Sequence, residues 1–250
     1  MALLEVAGLT KRFGGVSASD GLDLSIEPGE IHAVIGPNGA GKTTLINQLT
    51  GELDCDSGRI VFAGHDITAL PVYSRAQLGV ARSYQISQLF RDLSVLQNMV
   101  IAAQARLPHS FQFWAPAARD ARLTEPAQHA LERVGLRDKM LTPVAALAHG
   151  ELRQLELAMT LATEPKLLLL DEPTAGMSPS ESERIVALLA SLKGPYSILL
   201  VEHDMDAVFA LADRITVLVN GRAIASGSIA DIRADPAVRE AYLGDEELEH

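Results

Sequence analysis

The chain has a single cysteine, a single tryptophan and only 4% aromatic residues in 250 positions. With Cys55 alone, an internal disulfide and a thiolate metal cluster are both excluded. Basic residues are also short: 21 Lys and Arg stand against 32 Asp and Glu, a formal net charge of −11. A negative chain with few stacking rings makes a poor binder of phosphate backbones, so nucleic acid is not an expected partner. No apolar run approaches the ~18 residues that a membrane-spanning helix needs; the block Leu167–Leu170 stops at Asp171. The start, Met1-Ala2-Leu3-Leu4-Glu5, lacks the basic stretch and long apolar run of a signal peptide. No internal repeat and no low-complexity segment is visible. What remains is a chain of 48% hydrophobic and 21% charged residues, enough for a sizeable core, and the expectation is a soluble protein of the cytoplasm.

Short apolar blocks alternate with helical patterns, which reads as an α/β fold on a mainly parallel sheet. Ile31–Ile35, Gly58–Phe62, Leu167–Leu170, Ser197–Val201 and Ile215–Val219 are the strand candidates. The continuous apolar block 167–170 suits a strand covered on both faces. A helix is expected from about Lys42 to Thr50, and another after Ser178, where Pro179 at the first position and Glu181 three residues past the cap make a capping box. From about Leu89 to Leu147 the patterns are helical, broken by an irregular stretch, Leu107–Pro116, that carries Trp114. This predicts a helical subdomain, running over about 89–163, inserted between strands of one domain spanning 1–250. A final capped helix is expected over about 235–244, with Asp235 as cap, Pro236 next and Gly244 closing it.

Gly36-Pro37-Asn38-Gly39-Ala40-Gly41-Lys42-Thr43-Thr44 matches G-x-x-x-x-G-K-[ST], and it lies between a strand and a helix, as the pattern requires. Such glycines let the backbone curl so that successive N–H groups converge on phosphate oxygens, and the helix N-terminus adds favourable partial charge. Lys42 can reach the β- and γ-phosphates, and the Thr43 hydroxyl can ligate Mg²⁺. The apolar strand that ends in Asp171-Glu172 supplies the other half of such a site: Asp171 beside the Mg²⁺ shell, Glu172 to orient or deprotonate an attacking water. No Asn-Lys-x-Asp motif is present, so guanine reading is not expected.

With these two segments in place, the chain resembles the ATP-binding subunits of ABC transporters over essentially its whole length. The resemblance implies a P-loop NTPase core, a small antiparallel β subdomain at the N-terminal strands and the inserted helical subdomain. It also implies an ATPase that uses ATP and Mg²⁺. Gln85, in Ser83-Tyr84-Gln85-Ile86, matches the glutamine that senses Mg²⁺ and the γ-phosphate. His203, in Val201-Glu202-His203-Asp204, matches the switch histidine. Phe13 falls where relatives stack an aromatic on adenine; a core phenylalanine is the alternative. The nucleotide-binding set is therefore Phe13, Asn38, Gly39, Ala40, Gly41, Lys42, Thr43, Thr44 and Asp171, with Thr43, Gln85 and Asp171 around the metal and Glu172, His203 and Gln85 in catalysis.

The signature segment departs from Leu-Ser-Gly-Gly-Gln, reading Leu147-Ala148-His149-Gly150-Glu151. Ala148 offers no hydroxyl to the γ-phosphate of an opposing subunit, whereas Gly150 and the helix N-terminus still offer backbone donors. Glu151 puts a negative charge near a phosphate, a cost on the order of 1 kcal/mol unless it is turned away or paired. Met177-Ser178 stands where Leu-Asp is usual. Two copies of this chain are therefore expected to close poorly on ATP, and a paralogue with an intact signature to close better.

Phe13-Gly14-Gly15, the 85–90 segment, Glu202-His203-Asp204-Met205 and Glu240-Ala241-Tyr242-Leu243-Gly244 are similar to the branched-chain amino acid importers. The implied partners are membrane permeases, a second ATPase or a second copy in a head-to-tail dimer, and indirectly a solute-binding protein. The implied place is the cytoplasmic face of the membrane. Urea, short amides and aromatic acids are the solutes of related importers; His149-Gly150 and Gly176-Met177 are also similar to the urea branch. A non-transport ABC ATPase would need two cores or a long coiled coil, for which the stretch from Gln85 to Leu147 is too short.

Overall fold

In the computed structural model, which describes residues 1–83, 89–104 and 120–240, strands and helices alternate around two sheets. Strands β1 (Leu4–Phe13), β2 (Val16–Ile26), β4 (Ser57–Phe62) and β5 (His65–Asp66) form an antiparallel sheet in the order β2-β1-β4-β5. The second sheet is built from β3 (Ile31–Ile35), β6 (Val80–Ser83), β7 (Leu167–Asp171), β8 (Ser197–Val201), β9 (Arg214–Val219) and β10 (Arg222–Gly227). Its order is β10-β9-β3-β8-β7-β6. The pairs β3·β8, β3·β9, β6·β7 and β7·β8 are parallel, and β9·β10 alone is antiparallel. The N-terminal sheet, which the residue patterns alone left unresolved, is the antiparallel subdomain that the family resemblance implied.

The continuous apolar runs are explained by burial on both faces. Along β7, Leu168 and Leu170 enter the core shared with the inserted helices, while Leu167 and Leu169 enter the core beneath the antiparallel sheet. Along β8, Ile198 and Leu200 alternate in the same way with Leu199 and Val201. A strand sandwiched between two cores has no use for the apolar–polar alternation of a half-exposed strand.

Helix α1 (Lys42–Thr50) follows β3 and packs Leu45, Ile46 and Leu49 against the antiparallel sheet's core. Helix α2 (Val72–Leu78) leads into β6. The inserted region contributes α3 (Val95–Gln104), α4 (Ala121–Arg133) and α5 (His149–Leu161). Their apolar faces (Met99, Leu131 and Leu155 among them) pack together and onto β7 and β8. The irregular stretch 107–116 and Trp114 lie outside the described residues. Helix α6 (Pro179–Leu192) begins as expected, with the Glu181 carboxylate accepting from the Ser178 N–H at 3.0 Å and from its hydroxyl at 2.7 Å. Then come α7 (Met205–Leu211), α8 (Ile229–Ala234) and α9 (Pro236–Val238), the last capped by Asp235 accepting from the Ala237 and Val238 amides. The described part of this helical segment ends at 240, so the closing Gly244 lies outside it. No helix among the described residues is long and apolar enough to cross a membrane.

Candidate nucleotide site

Strand order makes the site. Parallel pairing sets Val34 beside Val201 and Val201 beside Asp171, so three adjacent strands end at one level. The segments leaving those ends are the glycine loop 36–41, then Glu202-His203, then Glu172. Strand β6 joins the same edge, with Ser83 paired to Leu170. Open parallel sheets bind ligands outside the carboxyl ends of their strands, where connections diverge to opposite sides. Gln85 lies outside the described residues.

The loop between β3 and α1 is tightly clamped. A Cβ on Gly36 would lie 2.1 Å from the Leu218 carbonyl oxygen, and one on Gly41 would lie 2.1 Å from that of Ala18. Both positions thus exclude every side chain, and Gly41 also adopts φ 104° at the cap of α1. The neighbours doing the clamping are β2 and the β9–β10 turn: Gly221 N–H donates to Ala40 at 2.9 Å, and Asp20 N–H donates to Gly221 at 2.9 Å. Gly41 gives α1 no side-chain cap, so its first-turn amides stay available to an anion. Asn38, Gly39 and Thr43 are exposed, Thr44 is half-buried, and Ala40 is buried.

Lys42 is 7% exposed and its Nζ donates back across the loop to the carbonyls of Gly36 (2.5 Å) and Pro37 (3.1 Å). Burial pushes its ammonium below the ordinary lysine range, and the charges of Glu172 and Asp171 oppose that shift. Loop and strand end therefore share one electric field. Asp171 is pushed upward, first by burial and also by the charge of Glu172, against the stabilising charge and hydrogen bond of Arg82. Arg82, on β6, donates to Asp171 at 3.0 Å, to Asn47 of α1 at 2.6 Å and to Glu52 at 2.7 Å. It ties Asp171 to the phosphate-loop helix, and no motif in the sequence announced it.

Glu172 leaves β7 with φ 48°, in the left-handed region that a glutamate seldom occupies, and its N–H donates to Val201 at 2.8 Å. The kink sets its carboxylate 3.8 Å from Nδ1 of His203. His203 is 60% exposed and lies 3.8 Å from the wholly buried Glu202 as well. Asp171, Glu172, Lys42 and His203 are thus gathered in one place. Phe13 ends β1 with 51% of its surface exposed, Lys11 Nζ lying 5.8 Å from its ring centroid, so it is no core residue.

Ala148 caps α5 and is exposed. Glu151 turns back to accept from the Ala148 N–H at 3.1 Å and pairs with Lys139. The Lys139 hydrogen bond, with the Ala148 amide behind it, holds the Glu151 carboxyl below the usual range. The charge that the sequence placed near a phosphate is therefore paired, and it half-rebuilds the capping box that Ala148 cannot complete. Gly150 faces α6: a Cβ there would meet Glu181 Oε1 at 3.2 Å.

The ABC transporter family matches residues 19–175, and the family described as branched-chain amino acid ATP-binding cassette transporter matches residues 224–247. The chain is 40% identical to the high-affinity branched-chain amino acid transport ATP-binding protein BraF of Pseudomonas aeruginosa, over 97% of this chain and 98% of that one. It is 37% identical to the probable branched-chain amino acid transport ATP-binding protein LivG of Archaeoglobus fulgidus, over 100% and 98%. Among solved structures, the ADP conformation of MJ1267, an ATP-binding cassette of an ABC transporter, superposes with a TM-score of 0.86 at 32% identity, covering 98% of this chain and 100% of that chain. The dimeric post-hydrolysis cassette MJ0796, at 20% identity and TM-score 0.74, shares the fold. With the phosphate loop, the carboxylate-ended strand and the histidine all on one sheet edge, the chain belongs to the ABC transporter family and is the ATP-binding, ATP-hydrolysing subunit of such a transporter.

Proposed function

We propose that this subunit powers the uptake of branched-chain amino acids. In this reading it works at the cytoplasmic face of the membrane, paired head-to-tail with a second ATPase beneath two permeases that receive solute from a binding protein. The observation that carries the chemical half is the meeting of Glu172 and His203 at 3.8 Å, in the same field as Asp171 and Lys42. The solute half is supported by the full-length similarity to BraF and LivG and by the match at residues 224–247.

Each residue has a task that its position allows. The glycine-loop amides and the N-terminus of α1 hold the α- and β-phosphates, and Lys42 exchanges its two loop carbonyls for β- and γ-phosphate oxygens. Phe13 stacks on adenine. The donors Thr43 and Asp171, a hydroxyl and a carboxylate, are the hard oxygens that suit Mg²⁺, with Gln85 as a third. Among the described residues no group of three or more His, Cys, Asp and Glu is arranged to hold a metal ion by itself. That fits a cation held by phosphates together with a few separate protein oxygens. When bound, Mg²⁺ supplies neutralisation of charge on the β- and γ-phosphates. Glu172 orients a water on the γ-phosphate and takes its proton, and His203 contacts the γ-phosphate oxygens. The opposing subunit presents a signature segment. Ala148 and Gly150 are this chain's contribution to its partner's site, through the backbone donors at the start of α5, since Ala148 has no hydroxyl.

The test is affinity capture of the full chain from detergent-solubilised native membranes, followed by ATPase assay of the captured complex in proteoliposomes. Two multi-span permeases, a second ATPase, and stimulation by binding protein loaded with leucine, isoleucine or valine are expected. Stimulation by urea, a short amide or an aromatic acid instead would overturn the solute. Capture without any membrane chain would overturn the transport assembly.

A further inference from the structure

Glu202 is wholly buried, and four groups donate to its carboxylate. Oε1 accepts from the backbone N–H of Thr174 at 3.0 Å and from the Thr174 hydroxyl at 2.5 Å. Oε2 accepts from the backbone N–H of His203 at 3.0 Å and of Asp204 at 3.4 Å. One oxygen thus holds the loop that leaves β7 just after Glu172. The other holds the turn that leaves β8 with His203. These are different segments of the chain, 28 residues apart, and the carboxylate spans them. Thr174 is itself buried, and the short turn around it, with Ala175 N–H donating to Glu172 at 3.1 Å and Met177 N–H to Thr174 at 3.2 Å, passes any shift at Thr174 to Glu172.

The donor pattern specifies a carboxylate. Three of the four partners are backbone N–H groups, which can only donate, and they lie at both oxygens, so both ends of the side chain must accept. Glutamine has the same shape but one accepting end: with its NH₂ toward Thr174 the Thr174 N–H loses its acceptor even if the hydroxyl turns to accept, and with its NH₂ toward the His203 and Asp204 amides both of those do. A buried N–H left without an acceptor costs more than a made hydrogen bond contributes, so one of the two segments must move away.

We propose that Glu202 is a positioning residue for hydrolysis: through Thr174 on one side and the His203 turn on the other, it fixes Glu172 and His203 in register. It touches neither nucleotide nor water. The proposal rests on the roles assigned above to Glu172 and His203. A misplacement of about 1 Å at such a site costs on the order of 100-fold in rate with little effect on ground-state binding. Nucleotide affinity, set mainly by the loop and α1 on β3, should change little when the link is broken.

The experiment compares Glu202→Gln, Thr174→Val and Thr174→Ser in the full chain. It reads steady-state ATPase constants, the Kd of a fluorescent ATP analogue and thermal melting, with Glu172→Gln and His203→Ala run beside them. Glu202→Gln and Thr174→Val are expected to lower kcat by about tenfold or more, with KM and Kd within about twofold of the parent. Thr174→Ser, which keeps the hydroxyl, is expected to recover most of the rate. If Glu202→Gln fails to fold, the Thr174 pair decides. A lowered melting temperature with kcat per folded molecule unchanged in Glu202→Gln or Thr174→Val overturns the proposal, and so does a Thr174→Ser no better than Thr174→Val. Full activity in Glu172→Gln and His203→Ala would instead overturn the underlying site reading.

Discussion

Arg75 offers a sharp test of how the phosphate-loop helix is held. It is 2% exposed, and its guanidinium donates to four carbonyls: Gln48 (2.6 Å), Leu49 (3.0 Å), Leu70 (2.8 Å) and Thr68 (2.9 Å). Gln48 and Leu49 lie in the last turn of α1, whose final carbonyls have no partners within the helix. Arg75→Met keeps the apolar stem and removes every donor. The hydrogen bonds to Gln48 and Leu49 are buried, and each acceptor stranded there costs about 1–3 kcal/mol. The Leu70 and Thr68 bonds are only partly buried, so those acceptors can turn to water. Losing a cation from the helix C-terminus adds about 0.5 kcal/mol. The expected destabilisation is about 3–5 kcal/mol, or a Tm lower by about 6–20 °C at 2–4 °C per kcal/mol for a chain of this length. Urea unfolding followed by far-UV circular dichroism should give a lower midpoint with an unchanged slope. Arg75→Lys, whose compact ammonium cannot fork to four carbonyls on separate segments, should recover less than half of the loss. A Met variant within about 1 kcal/mol of the parent would refute the argument that these carbonyls depend on Arg75.

Ala148→Ser should restore a hydroxyl to the segment offered to the opposing nucleotide. ATP-driven self-association in a Glu172→Gln background should then strengthen by about tenfold, read by sedimentation velocity, whereas equal sedimentation would refute the expectation that Ala148 weakens closure. Asp66 is held at a pKa of about 2 by hydrogen bonds from the Thr68 hydroxyl and amide and from Arg59. An unfolded aspartate titrates near ~3.9. The folded value is the lower, so its stabilisation is complete above about pH 4 and is lost as the pH falls toward 2. Asp66→Asn should flatten that part of the acid limb, and an Asp66 carboxyl titrating near 4 by NMR would contradict the geometry.

The strongest chemical signals lay in short contiguous segments. The phosphate loop, the apolar strand ending in Asp171-Glu172, and the Ser178–Glu181 capping box each depend on residues within a few positions of one another, and all three stand where the residues placed them. The antiparallel sheet was less legible. Strand β2 interrupts its pattern with Asp20, Gly21 and Asp23, and its pairing with β1 carries register shifts, so period-two alternation is blurred. Phe13 was open between adenine stacking and the core because exposure at the end of an edge-forming hairpin is not written in a local pattern. Glu151 looked like a misplaced charge until Lys139, twelve residues earlier, came to lie beside it.

The sequence by itself determined that this chain binds nucleotide phosphate, that its main sheet is mainly parallel and doubly covered, and that the signature serine is absent. Those properties follow from composition, period and short spacing, which survive without tertiary contacts. Only the fold decided that Glu172 and His203 meet, that Arg82 ties Asp171 to α1, that Arg75 caps that helix, and that Glu202 bridges two loops. Each joins residues from about 26 to 89 positions apart. Such contacts exist because parallel strands end side by side, and no local spacing encodes which strands become neighbours.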